Sequence, residues 1–201
     1  MIRNRLGASG TMVVAGVVAL LGGVRPGLAG DEAPTKPGVE ARAAFGRLKK
    51  MAGTWSAEIA ADGKAADFKK KVEKHKQGHG AEPSVIFKLT GGGSALVETQ
   101  MPGAAHEMVS VYHLDGDDLR MTHYCAAGNQ PRFKLDRARS RPDHLIFVFD
   151  GGTNLDPAKD MHIHGLEMTF HGDGRVTSAW DGYAGGKPFG TTSFILTRPA
   201  H

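Results

Sequence analysis

The chain reads as an all-β protein, an antiparallel sandwich or closed barrel of about eight to ten strands behind one short helix. Three observations predict this. Short runs with alternating apolar and polar residues recur along most of the chain. Turn signals separate them at regular intervals: Asp62-Gly63, Gly91-Gly92-Gly93, Asp115-Gly116, Pro142-Asp143, Gly172-Asp173-Gly174 and Gly185-Gly186. Helical spacing of apolar residues is found in one place only, Ala41, Ala44, Phe45, Leu48 and Met51. No repeat of 20–50 residues is visible.

The first 29 residues are expected to be a signal peptide. Arg3 and Arg5 form a positive start, Met12 to Val24 an apolar stretch, and Gly27-Leu28-Ala29 a small-residue cleavage site. Residues 30–38, with Pro34 and Pro37, read as a flexible leader, and 39–201 as one domain. The amphipathic segment from Ala41 runs into Gly53. Strands are then predicted over Trp55 to Ala60, Ser84 to Leu89, Ala95 to Gln100, Glu107 to Leu114, Leu119 to Cys125, Phe133 to Arg137, Leu145 to Phe149, Met161 to Phe170, Val176 to Trp180 and Thr191 to Arg198. Residues 150–160 read as a loop.

Charge argues against a nucleic-acid partner. The whole chain carries a formal +4, but the predicted signal holds Arg3, Arg5 and Arg25 and no acid, so the remainder is +1. Lys64 to Lys76 concentrates six Lys against Asp67 and Glu73. That run reads as a solvated, edge-protecting strand or hairpin rather than a polyanion site, with helix an alternative over 67–76. There is no continuous basic face, and beyond the signal no run is long and apolar enough to span a membrane. These features predict a periplasmic or secreted protein. Its only cysteine, Cys125, cannot form an internal disulfide.

Gly53-Thr54-Trp55 opens the first strand just after the helix, and Thr197-Arg198 lies on the last. This pairing resembles the calycin superfamily of lipocalin-like barrels, in which a Gly-x-Trp is covered by an Arg from the last strand. The resemblance implies structural roles for Gly53, Trp55 and Arg198, with the guanidinium stacked on the indole. More closely, the chain is similar to an uncharacterised group of exported bacterial lipocalin-like proteins. The segments that carry this are Gly92 to Thr99, Pro102 to Met108, Tyr112 to Asp117, Thr122 to Pro131 and Met161 to His164. That family supplies no activity. Nitrobindin-like haem barrels are relatives in shape, but their axial His matches no one position here, so no cofactor is assigned.

Strand alternation sorts the candidate site residues. Leu119, Met121, His123 and Cys125 share one face, and the apolar members mark it as inward. His162, His164, Leu166, Met168 and Phe170 likewise share a face, provided no bulge interrupts the strand near Gly165. His123, Cys125, His162 and His164, with Asn129, Gln130 and Glu98, are thus the candidate rim of a barrel cavity. Asn129 and Gln130 either contact a ligand or tie down backbone. His106, His113, His144 and His171 read as ordinary loop or surface residues, and Trp180 and Tyr183 as packing.

The leading expectation is non-covalent binding of a small apolar or amphipathic molecule inside the barrel. The first alternative is an enzyme or metal protein built on His123, His162, His164 and Cys125; no residue is assigned as catalytic. The second is a filled barrel acting as a structural or interaction module through Lys64 to Lys76.

Overall fold

In the computed structural model the described residues are 39–62, 66, 70 and 83–199. The expected signal, the leader and nearly all of the Lys64–Lys76 run lie outside them; the run's described members, Ala66 and Lys70, are helical rather than in the strand or hairpin expected. A helix α1 (Ala41–Lys49) precedes ten strands: β1 (Gly53–Ala61), β2 (Ser84–Thr90), β3 (Ala95–Gln100), β4 (Met108–Asp115), β5 (Asp118–Tyr124), β6 (Gln130–Leu135), β7 (His144–Thr153), β8 (His162–Phe170), β9 (Val176–Ala184) and β10 (Lys187–Thr197). Each pairs antiparallel with its sequence neighbours, and β10 returns to pair with β1. The result is a closed up-and-down barrel, one of the two forms the turn spacing predicts and compatible with the lipocalin-like architecture that the resemblance implies.

Strand bounds differ from expectation mainly at one end. β7 continues past Phe149 through Gly151 and Gly152 to Thr153, because Pro131 and Gln130 of β6 still pair there. β9 and β10 stay paired up to Ala184 and Lys187, across a tight Gly185-Gly186 turn. Hairpin pairing extends strands through residues whose local preference is for loop.

One end of the barrel is sealed. Ala41, Ala44, Phe45 and Leu48 form the buried stripe of α1. Burying a side chain such as Leu48 is worth about 1.5–3 kcal/mol. The chain then turns so that Met51 is buried and its carbonyl accepts a 2.7 Å bond from Trp55 Nε1. Arg198 lies over the Trp55 ring at 4.2 Å and donates 3.0 Å bonds to the carbonyls of Ala52 and Lys50. It therefore staples the last strand to the helix exit. Gly53 has φ +121°, and a Cβ there would sit 2.6 Å from Arg198 Nη1, so both backbone and space demand glycine. Above this plug Phe87, Leu96, Tyr112, Leu119, Met121, Phe133, Leu145, Phe147, Leu166, Met168, Phe194 and Leu196 are buried in the interior.

The other end is irregular. The three register shifts in the described ladders lie between Pro131 and Phe133, between Ile163 and Gly165, and between Pro188 and Gly190, all toward the β3–β4, β5–β6, β7–β8 and β9–β10 connections. β1 pairs with β2 only from Gly53 to Ser56. Bulges are common at barrel rims, where they re-aim side chains and relax the wall.

Candidate functional site

The irregular end holds a cavity of about 430 Å³. Most of its wall is apolar: Met108, Met161, Ile163, Trp180, Phe189 and Phe194. Its polar wall residues include His123, His106, Gln100, Cys125 and Thr192, and among the described residues no Lys, Arg, Asp or Glu lines it. The shape depends on Gly182. A Cβ there would lie 2.4 Å from the Phe189 ring, so the missing side chain lets that ring, at the β10 register shift, fold across the neighbouring strand.

His123 is the most unusual group in the wall. It comes from the inward face of β5, as alternation predicts, and is 1% exposed. Its Nδ1 is 2.9 Å from Ser110 Oγ on β4, and the two residues are cross-strand partners. Its ring lies 5.0 Å from that of Trp180. Its distal Nε2 is buried and has no hydrogen-bond partner among the described residues. An unpaired buried polar atom costs about 1–3 kcal/mol, so a native structure that keeps one invites a reason. Burial lowers the ring's pKa from 6.5 to about 4, which keeps it neutral at physiological pH.

Behind Gln100 lies a second buried polar cluster. Glu98 is wholly buried and accepts a 2.5 Å bond from Tyr112 O–H and a 2.9 Å bond from Gln100 Nε2. Burial raises its pKa from 4.5 to about 6, against the pull of its two donors. The Tyr112 hydroxyl is pushed well up by burial and by the Glu98 charge. Glu98 therefore sits in the barrel interior beside the cavity wall rather than at a rim, a correction to the rim reading.

Other expectations are also revised. The bulge between Ile163 and Gly165 overturns the inward placement of His162 and His164. Ile163 is opposite Gly182 and lines the cavity instead. His162 is opposite Tyr183, which alternates with inward Trp180 and Gly182 and so faces away. His162 is fully buried there, with Nδ1 2.9 Å from the Asp160 carbonyl and Nε2 2.9 Å from His164 Nδ1. His164 is stacked between Phe149 and Tyr183, with ring centroids 4.6 and 3.9 Å away. Burial and the neighbouring His162 lower its pKa. This is an aromatic stack in the barrel wall, separate from the cavity.

Asn129 and Gln130 serve the backbone. Asn129 Nδ2 donates to the Met161 carbonyl at 2.7 Å, tying the β5–β6 loop to the start of β8. Gln130 Nε2 donates to the Gly128 carbonyl, and its Oε1 accepts from Thr153 and Asn154. Neither lines the cavity. Cys125 does, but burial pushes its thiol pKa up, and no hydrogen bond joins it to His123. It is a thiol without an activating base. Among the described residues no three His, Cys, Asp or Glu side chains converge as a metal site requires.

His106, read as a loop residue, lines the cavity. Ser110, which orients His123, went unnoticed in the sequence. Its alternation with inward Tyr112 is the signal that marks it. No protein-family model matches this chain, and no curated protein matches it.

Proposed function

We propose that this protein is an exported lipocalin-like barrel that binds a small, largely apolar molecule in the open-end cavity. The observation that carries the reading is the 430 Å³ cavity whose wall includes His123, a residue with a buried Nε2 that has no hydrogen-bond partner among the described residues. Ligand sites are typically concave, mostly apolar and about 300–1,000 Å³, with a few polar groups that fix orientation. The Trp55–Arg198 stack beneath a capping helix supports membership of the calycin superfamily. The Arg-bearing, apolar, small-residue sequence of residues 1–29 supports export.

A titration with 1-aminoanthracene, a small uncharged fluorophore, tests the binding. Saturable enhancement is expected for the native chain, with loss of it in Thr192→Phe, whose ring fills the cavity. No saturable enhancement, or an unchanged response in Thr192→Phe, overturns the reading. Export is tested by fractionation and N-terminal sequencing: a periplasmic or secreted chain beginning at Gly30 supports it, and a chain with intact Met1 confined to the cytoplasm contradicts it.

A further inference from the structure

We propose that the cavity selects uncharged apolar molecules that carry a carbonyl-type oxygen, which accepts a hydrogen bond from His123 Nε2–H. This rests on the reading of the cavity as a ligand site and adds the chemistry of the ligand.

The tautomer follows from counting donors. Ser110 Oγ is fully buried, and His123 Nδ1 is its one hydrogen-bond partner among the described residues. If the hydroxyl donates to Nδ1, the ring proton sits on Nε2 and one buried polar group is left unsatisfied. If Nδ1–H donates to the hydroxyl, both the Ser110 proton and the Nε2 lone pair are left without partners. The first arrangement leaves fewer unpaired groups and is therefore favoured. The free nitrogen then presents a proton, and the missing partner is an acceptor.

Charge narrows the class further. Among the described residues no Lys or Arg lines the cavity to receive a carboxylate, and no Asp or Glu lines it to receive an ammonium. The buried carboxylate of Glu98 already accepts from Tyr112 and Gln100. A bare charge brought into this wall would be desolvated without compensation. A ketone, aldehyde or ester oxygen satisfies Nε2–H without that cost. Nε2 is closed off from solvent as the side chains stand. A ligand reaches it by moving the wall aside, which an incoming apolar chain packing against Trp180 and Phe189 can drive.

Four eight-carbon probes test this on the full chain at pH 7.5: 2-octanone, octane, octanoate and octylammonium. Trp180 lines the cavity and reports binding by its fluorescence, Trp55 being the only other tryptophan. 2-Octanone is expected to bind about tenfold more tightly than octane, the effect of one hydrogen bond to a group otherwise buried unpaired. Both ions are expected to bind more weakly than the ketone. In His123→Phe the preference for ketone over octane disappears while octane still binds. Ser110→Ala frees the ring proton to move to Nδ1, so it too reduces the ketone preference, and it keeps the test alive if His123→Phe does not fold by circular dichroism. A charged probe that binds tightest, or a ketone preference unchanged in both variants, overturns the proposal and leaves cavity binding standing. If none of the four binds, the cavity reading itself fails.

Discussion

The two ends of this barrel are built from the same strands and behave as different materials. At the helix end every described pair is in register, the interior is filled by large apolar side chains, and Arg198 ties helix, first strand and last strand together. At the other end three register shifts loosen the wall, Gly182 withholds a side chain, and His123 keeps a nitrogen unpaired among the described residues. The first arrangement maximises packing and leaves nothing to bind with. The second gives up packing and gains a cavity. Stability and recognition are thus divided along the barrel axis, as expected when a rigid scaffold carries a less stable site.

The division is broken most severely from the sealed end. Trp55→Ala removes the ring under Arg198 and the bond to Met51, and is expected to cost about 3–5 kcal/mol in urea denaturation. A loss below about 1 kcal/mol would mean that the plug is not the stabilising element.

Next in size is the acid response of the open end. The His123 pKa is lowered from 6.5 to about 4, so its contribution is whole above pH 6.5 and is lost as pH falls toward 4. The expected loss is about 3 kcal/mol, at ~1.4 kcal/mol per pH unit. His123→Phe should remove that slope from a series of unfolding curves between pH 7 and 4.

Glu98 works in the opposite sense. Its pKa is raised from 4.5 to about 6, so the associated stability is present below pH 4.5 and is lost as pH rises through 6. The expected size is about 2 kcal/mol. Glu98→Gln should leave acid destabilisation steeper than in the parent, because the opposing gain is gone. A shallower acid limb would contradict the buried-carboxylate account. The smallest effect is expected at the mouth: Met161 is 46% exposed, and Met161→Ala should change stability by no more than about 0.5 kcal/mol.

The same division governed what the sequence disclosed. Regular segments were legible. The helical stripe from Ala41 to Leu48, the Trp55–Arg198 pair and the inward face of β5 with His123 all follow from periodicity or from the resemblance, because nothing interrupts their pattern. The open end was less so. Alternation fails at His164, where one extra residue reverses the face of everything before it, and Gly165 was the single warning. Phe189 enters the wall through a similar shift that no local pattern marks. Ser110 was hidden for another reason: a lone serine in a strand gains meaning only when its cross-strand partner is known to be His123. Glu98 was found, yet its depth in the barrel depends on closure, which strand alternation alone does not supply.

The most direct test is the imidazole of His123 itself, observed by long-range ¹H–¹⁵N NMR at pH 7.5. The expected spectrum shows a neutral ring with its proton on Nε2, and the Nε2 resonance moves on adding 2-octanone but not on adding octane. A proton on Nδ1, or a ring that ignores the ketone while the ketone binds, would contradict the assignment of His123 as the cavity's hydrogen-bond donor.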